Sequence, residues 1–330
     1  MSPGRRRAGW AKSLILCLCT GLLWYGVAPQ ALAQTEDFQR AVREYRLGQQ
    51  DRAMTSLQAI LGEDPDYAPA HELLGLILTA NSDHQKALSH LLRAAQLWPN
   101  HAVYQVNLAV FYLRQLRIKD AEVVLDHSLN SAPRPQAYRL LGVIRLDQQR
   151  AQAAIRLFRE ATALAPRELA GWYDLGLAYE AISDTDSALM CYGQALQLDP
   201  KDFATHRQIG LANLDRGHAA EARDHLHEAS TLQPEDGEVA MYLSQAYLYA
   251  GDLENASESA KRAARLLPDD PRSHYQLGLV LARSEMMNES AKEFELSERL
   301  PRKLAVGPLE RWRQLSEKRK RIVPDSDARP

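Results

Sequence analysis

Apolar residues recur at spacings of three and four on both sides of a short polar break, and this pattern repeats along most of the chain. In one copy, Trp172, Leu175 and Tyr179 precede the break, and Ala188 and Tyr192 follow it. Such spacing places the apolar side chains on one face of an α helix. Each copy of the pattern therefore predicts two amphipathic helices joined by a turn.

A proline follows each predicted helix pair at an almost constant interval of 33 or 34 residues. The eight prolines are Pro65, Pro99, Pro133, Pro166, Pro200, Pro234, Pro268 and Pro301. Proline inside a helix removes a hydrogen bond and clashes with the preceding turn, so each one is expected to end the second helix of its unit. A period of this length predicts a stacked array of helix hairpins. The units start near residues 34, 68, 102, 135, 169, 203, 237 and 271.

Numbering each unit from 1 assigns a role to every repeat position. Position 8 is small, as in Gly176, and position 20 is alanine in most units, as in Ala188. An antiparallel hairpin folded about position 14 brings positions 8 and 20 together, and it also pairs position 4 with position 24. The predicted bulky pairs are Tyr138 with Phe158, Trp172 with Tyr192, and His274 with Phe294.

The turn between the two helices carries glycine at position 15 in three units. These residues are Gly48, Gly217 and Gly251. A helix end at this point favours a residue that tolerates a positive φ angle. The sequence therefore predicts left-handed backbone at position 15.

The copy from Trp172 to Pro200 resembles the tetratricopeptide repeat family, with its W-x2-L-G-x2-Y, A-x3-F and P pattern. Its matching residues are Trp172, Leu175, Gly176, Tyr179, Ala188, Tyr192, Ala195 and Pro200. The resemblance spans residues 34–304 in eight copies. It implies an all-α fold, a right-handed superhelical solenoid of helix–turn–helix repeats, with a concave groove lined by the first helix of each unit.

The resemblance also implies which residues face that groove. The candidate partner-binding residues are Asn107, Arg114, Arg139, Tyr173, Asp174, Arg207, Gln208, Tyr242, Gln245, Tyr249 and Tyr275. Tyrosine and arginine are enriched at interface hot spots, so a groove of this composition suits a peptide or helix of a partner protein. The alternative is that several of these tyrosines pack between adjacent repeats.

Residues 1–33 differ from the repeats. Three arginines and Lys12 precede an apolar run from Leu14 to Ala28, and the triplet Ala31–Ala33 then reads as a cleavage site. This order is typical of a secretory signal peptide cleaved near Ala33, which predicts a periplasmic or secreted protein. The alternative is an uncleaved inner-membrane anchor formed by residues 13–28. Only in that case does the sequence predict contact with a membrane through this segment.

The two ends of the chain also affect its charge and its partners. Removing residues 1–33 lowers the number of Lys and Arg residues from 40 to 36, against 42 Asp and Glu. An acidic mature chain argues against a nucleic-acid partner.

Residues 305–330 predict a capping helix, with Leu309, Trp312 and Leu315 on one face, followed by the basic run 318–321 and a disordered tail. The alternative for the basic run is contact with an anionic surface.

We find no candidate catalytic residue, cofactor motif or metal-ligand set in the sequence. His218, His225 and His227 are the densest histidine group, and their spacing predicts a solvated face rather than a metal site. Cys191 is the only thiol of the mature chain and is interpreted as a half-buried structural residue. The predicted function is therefore a non-enzymatic protein-interaction scaffold of the cell envelope. The alternative is an accessory subunit of an outer-membrane, pilus or cell-wall assembly complex that binds through its outer faces.

Overall fold

The computed structural model describes residues 28–301, and within that range it contains helices and no strand, which confirms the predicted all-α repeat fold. The described chain divides after Ala132 into two compact units. Unit 1 contains α1 (Ala28–Arg46), α2 (Gln50–Glu63), α3 (Ala68–Ala80), α4 (His84–Leu97), α5 (Ala102–Arg114) and α6 (Ile118–Ser131).

Unit 2 continues the same alternation of helices and short turns. It contains α7 (Pro135–Asp147), α8 (Ala151–Leu164), α9 (Leu169–Glu180), α10 (Thr185–Leu198), α11 (Phe203–Asp215), α12 (Ala219–Leu232), α13 (Gly237–Ala250), α14 (Leu253–Leu266), α15 (Pro271–Arg283) and α16 (Met287–Arg299). We call each odd-numbered helix and the even-numbered helix after it a hairpin, numbered 1 to 8 along the chain.

The two helices of every hairpin pack against each other, and each second helix also packs against the first helix of the next hairpin of its unit. First helices of successive hairpins contact each other as well, as α7 does with α9 and α13 does with α15. The first helices of a unit therefore line one side of its stack, which we call the first-helix face. The second helices form the opposite side, the second-helix face.

Each second helix ends two residues before a repeat proline, as predicted. Where position 4 of the following unit is a histidine, glutamine or tryptophan, its side chain hydrogen-bonds the proline carbonyl. Examples are Trp172 Nε1, 2.9 Å from the Pro166 oxygen, and His206 Nε2, 3.0 Å from the Pro200 oxygen. Position 4 thus joins successive hairpins with a polar contact that the apolar pattern alone does not predict.

The contacts inside a hairpin differ in part from those predicted. Positions 8 and 20 do meet, since the Ser244 hydroxyl donates to the Ala256 carbonyl at 2.9 Å. The bulky side chain at position 24, however, lies over the glycine at position 8. A Cβ added to Gly176 would lie 2.3 Å from Cε1 of Tyr192. The glycine leaves room that the ring fills.

The predicted partner of position 24 was position 4, and for hairpin 8 this pairing is wrong. His274 contacts Glu293 at position 23, with 2.7 Å between Nδ1 and Oε2. Phe294 at position 24 lies against Gly278 and against the ring of Tyr275, whose centroid is 5.5 Å away. The position 4 side chain reaches toward the proline carbonyl, which directs it away from the position 24 ring.

The backbone is left-handed at position 15 of every described hairpin. Gly48, Gly217 and Gly251 have φ angles of 76°, 76° and 82°, as their glycines predict. In the other five hairpins a residue with a side chain adopts the same conformation. These residues are Ser82, Leu116, Gln149, Ser183 and Glu285, with φ between 57° and 63°. The turn geometry is therefore imposed by the packing of the two helices as well as by glycine.

Helix α1 begins at Ala28, upstream of Gln34, where the repeat phase places the start of the first unit. Residues 1–27 of the predicted signal peptide and the predicted capping segment 305–330 lie outside the described residues. Within residues 28–301 no helix is both long enough and apolar enough to cross a membrane.

Candidate functional site

All eleven predicted groove residues lie on first helices, from α5 to α15. The helix positions that carry them are set by the repeat phase, so their side chains project on or near the first-helix face. Their surroundings differ widely, and they fall into three groups. Some form ion pairs or hydrogen bonds between hairpins, some pack into the core, and some are exposed.

In unit 1 the candidate Asn107 is held by a buried carboxylate. Its Nδ2 donates to Oε1 of Glu72 at 2.5 Å, and Glu72 is only 2% exposed. Tyr45 lies in the same environment, where burial and the charge of Glu72 raise its pKa while the charge of Arg114 opposes the rise. The charges of Glu72 and Arg114 thus both act on Tyr45 at this part of the face.

Arg139 and Asp174 form an ion pair that is shorter and less exposed than the pair of Arg207 with Glu238. Nε of Arg139 lies 2.7 Å from Oδ2 of Asp174, and Nη1 lies 2.9 Å from Oε1 of Glu168. The exposed side-chain fractions of Arg139 and Asp174 are 22% and 14%. Burial alone would lower the pKa of Arg139, but the charges and hydrogen bonds of Asp174 and Glu168 raise it overall. These groups join hairpin 4 to hairpin 5.

Arg207 belongs to a second set of linked charges further along unit 2. Its Nη2 lies 2.9 Å from Oε2 of Glu238, and the other oxygen of Glu238 lies 2.7 Å from Nη2 of Arg272. Arg272 also contacts the carboxylate of Asp270, and the hydrogen bonds to these two acids raise its pKa against the effect of burial. The chain from Arg207 to Asp270 connects three successive hairpins.

Gln208 and Tyr242 also contact neighbouring hairpins, and Tyr173 contacts a ring of its own hairpin. Nε2 of Gln208 donates to Oε2 of Glu180 at 3.0 Å. The Tyr173 ring lies 5.8 Å from the ring of Tyr192, between centroids, and Tyr242 packs against core residues of α13 and its neighbours. The alternative left open by the sequence, that some of these tyrosines pack between repeats, is confirmed for Tyr242, which packs against a core cluster with residues of hairpins 6 and 7.

The exposed candidates lie at the end of unit 2. Tyr249 on α13 is 58% exposed and Tyr275 on α15 is 53% exposed. Gln245 donates from Nε2 to the Tyr249 hydroxyl at 3.0 Å. These side chains offer aromatic and hydrogen-bonding surface to a ligand without any contact between hairpins having to break.

The acidic partners Glu72, Glu168 and Glu238 were not among the predicted site residues. Two of the links join position 5 of one unit to position 6 of the next, as in Arg139 with Asp174 and Glu72 with Asn107. Complementary side chains 35 residues apart are a signal that the sequence offers for such links. The others depend on side-chain reach and cannot be found from spacing.

Two histidine pairs occupy positions 4 and 23, away from the first-helix face. The Nδ1 atoms of His71 and His90 are 2.8 Å apart, and those of His206 and His225 are 3.0 Å apart. His71 and His206 each donate from Nε2 to a proline carbonyl, so in the neutral pair their Nδ1 accepts from the partner's Nδ1–H. The prediction that His225 lies on a solvated face is wrong, because it is half-buried against His206.

These pairs should make the protein less stable in mild acid. Burial, and then the neighbouring histidine, lower the pKa of His90 and of His225 below 6.5, with Asp224 opposing the shift at His225. The unfolded chain then binds more protons than the folded chain, so the free energy of unfolding falls as the pH drops below 6.5 toward the folded pKa. As the pH is lowered across this range, the midpoint temperature of thermal unfolding should fall less for the His90→Gln/His225→Gln variant than for the wild type. His227 is an exposed residue on the same helix as His225, and His227→Gln should leave the pH dependence of the midpoint temperature unchanged. If His227→Gln had the same effect as the double variant, the acid sensitivity would not come from the two histidine pairs.

Cys191 is buried, and burial raises its pKa to about 11, with Arg159 opposing the rise. Its interpretation as a structural thiol fits this environment, since a thiol with a raised pKa is rarely the reactive thiolate at neutral pH. Among residues 28–301 no group of three or more His, Cys, Asp or Glu side chains is arranged to hold a metal ion.

Comparison with known proteins places these repeats in a family. The family model described as the cilia and flagella-associated protein 70 C-terminal domain matches residues 105–305, and the model described as tetratricopeptide repeat matches residues 38–102. No curated protein matches the chain.

Solved structures show the same fold at low sequence identity. A structure described as the functional characterization of Pseudomonas aeruginosa PilF is 19% identical with a TM-score of 0.57, and the match covers 63% of this chain and 96% of that one. The APC/C hetero-tetramer Cut9–Hcn1 gives 23% identity and a TM-score of 0.57 over 64% of this chain and 42% of that one. With family models matching most of its repeats and more than half of its length, the chain belongs to the tetratricopeptide repeat family.

Proposed function

We propose that the chain is a non-enzymatic scaffold that binds a peptide or helix of a partner protein on the first-helix face of unit 2. The binding residues are centred on Tyr249 and Tyr275, with Gln245 beside Tyr249. The exposure of the two tyrosines carries this assignment, because large aromatic side chains left in solvent on one face are typical of interaction sites.

The spacing of these two tyrosines suits a short segment. Tyr249 is at position 13 of hairpin 7 and Tyr275 is at position 5 of hairpin 8. Eight repeat positions at 1.5 Å per residue separate their levels by about 12 Å along the helices. Packed helix axes add a lateral separation of about 8–10 Å, so the combined separation is on the order of 15 Å, which an extended peptide covers in about five residues. A ligand could therefore contact both rings with side chains a few residues apart.

The ion-paired candidates hold neighbouring hairpins together and do not contact the ligand in this proposal. Arg139, Asp174 and Arg207 are already matched by opposite charges, and their partners belong to neighbouring hairpins. Binding a ligand through them would first break contacts that hold the stack together. Of the predicted groove, the part that remains open is the one on α13 and α15.

Site-specific crosslinking tests this assignment without disturbing the core. A photo-crosslinking amino acid at Tyr249 or Tyr275 should capture the same partner, and the double change Tyr249→Ala/Tyr275→Ala should abolish its binding while leaving thermal stability unchanged. The same crosslinker at Met287, which is 62% exposed on the second helix α16, serves as the control. Capture from Met287 alone would favour the second candidate function, an accessory subunit that binds through its outer face.

We further propose that the protein is exported, with residues 1–33 removed near Ala33. The charged, apolar and small-residue order of this segment supports the proposal. N-terminal sequencing of protein purified from its native source should find a first residue at or near Gln34. An intact segment 13–28 would instead support the inner-membrane anchor.

A further inference from the structure

A surface cavity of about 770 Å³ lies on the second-helix face of unit 2, between hairpins 4 and 5. Its walls come from α8, α9 and α10, and they include Thr162, Trp172, Leu175, Tyr179, Met190 and Cys191. Met190 is 74% exposed, whereas Cys191 beneath it is only 6% exposed. The cavity is therefore apolar at its floor and open to solvent at its rim.

The exposed rim residue of this cavity is charged in the other hairpins of unit 2. Met190 occupies position 22, where the other four hairpins of the unit carry Arg156, Asp224, Glu258 and Lys292. Trp172 occupies position 4, where the other hairpins of the unit carry Tyr138, His206, Ala240 and His274. An exposed methionine thus replaces a charged residue only where the cavity lies, next to the largest side chain found at position 4, which sets this surface apart from ordinary repeat packing.

A positive charge stands at the edge of this cavity. Arg159 is exposed on α8 and lines the cavity, and it donates from Nη2 and Nε to the Tyr179 hydroxyl at 2.5 and 3.2 Å. Its guanidinium carbon also lies 5.8 Å from the centroid of the Tyr179 ring. The hydroxyl is neutral, so these contacts orient the guanidinium without cancelling its charge.

We propose that this cavity is a second protein-binding site, distinct from the first-helix face, which takes a bulky apolar side chain of an acidic peptide segment. The apolar side chain packs against Trp172 and Met190, and a neighbouring carboxylate of the same segment binds Arg159. An exposed methionine adapts its shape to different apolar partners, and the arginine fork matches a carboxylate in geometry and charge.

The openness of the cavity favours a peptide over a small molecule. Pockets for small ligands bury most of the ligand surface. Here the exposed Met190 and Arg159 form part of the wall, so a small molecule would keep much of its surface in water. A protein segment can anchor one side chain in the cavity and gain further contacts on the surrounding second-helix face.

Two matched synthetic peptides test the site on the full-length chain. One carries Glu-Trp-Leu-Glu between Gly-Ser flanks, and the other carries Lys in place of both Glu residues. Fluorescence anisotropy should show about tenfold tighter binding of the acidic peptide to the wild type. Arg159→Glu should remove or reverse this preference, and Met190→Asp should weaken the binding of both peptides by about tenfold or more.

Arg156→Glu is the matched control, because it makes the same charge change at another exposed position of α8 that does not line the cavity. It should keep most of the preference for the acidic peptide. Methyl-labelled methionine spectra should show the Met190 signal shifting on binding, while that of Met287 stays in place. Equal binding of the two peptides, no binding of either, an equal loss in the Arg156 and Arg159 variants, or a shift at Met287 instead of Met190 would each overturn the proposal.

Discussion

Replacing Tyr192 with alanine is expected to destabilise unit 2 by about 3–5 kcal/mol, as is typical when a buried aromatic side chain is deleted. Tyr192 is fully buried, lies over Gly176, and contacts the ring of Tyr173. The cavity left behind would border both helices of hairpin 5. Urea unfolding followed by circular dichroism measures the loss. Tyr275→Ala, at an exposed ring of the same unit, should change the free energy of unfolding by less than about 1 kcal/mol.

A second change at Gly176 makes this prediction sharper. In the wild type, Gly176→Ala places a Cβ 2.3 Å from the Tyr192 ring, so it should be destabilising. In the Tyr192→Ala background the ring is absent, so Gly176→Ala causes no clash and stabilises the helix by about 1 kcal/mol through the higher helix propensity of alanine. The sign of the Gly176→Ala effect should therefore reverse between the two backgrounds. The same sign in both would show that the ring does not fill the space above the glycine.

Replacing Arg139 with alanine is expected to lower the stability of unit 2 by about 2–3 kcal/mol. This is less than the roughly 3–5 kcal/mol for breaking a fully buried ion pair, because these side chains keep some contact with solvent. The change removes the Arg139 guanidinium from the carboxylate of Asp174, which is 14% exposed. Adding Asp174→Asn to Arg139→Ala should recover part of the loss, since the group that faced Arg139 then carries no charge.

An exposed ion pair provides the comparison for Arg139. Arg223 and Asp224 are 2.7 Å apart but 40% and 67% exposed, so Arg223→Ala should leave the free energy of unfolding almost unchanged. Equal losses for Arg139→Ala and Arg223→Ala would mean that the Arg139 links do not hold hairpins 4 and 5 together. A large loss at Arg139 would also show that weakened partner binding in that variant reports on stability rather than on contact with the ligand.

The repeat architecture follows from spacing alone, because the prolines and the apolar periodicity reflect constraints that recur in every hairpin. The glycines at position 15 likewise predict the backbone of their own turns. Leu116 and Gln149 give no such signal, and their left-handed backbone follows only from the packing of the helices they join.

The candidate site was harder to predict for a physical reason. Repeat phase places Arg207 and Tyr249 on first helices equally well, yet one is paired with Glu238 and the other is exposed. Which of the two outcomes occurs depends on the reach and rotamer of side chains from the next hairpin. The second-helix cavity had a partial signal in Met190, an apolar residue at a position that is otherwise charged in unit 2. Its depth depends on how α8, α9 and α10 pack, which no periodicity describes.

The left-handed turns have a consequence for the order in which the chain folds. A residue with a side chain costs roughly 1–2 kcal/mol in this backbone conformation, whereas glycine adopts it freely. Hairpins 6 and 7 are neighbours, and both turn at glycine, Gly217 and Gly251. Local backbone energies therefore favour early formation of this pair. Hairpins 5 and 8 would then form by packing against the folded pair, and this packing offsets the backbone strain at Ser183 and Glu285.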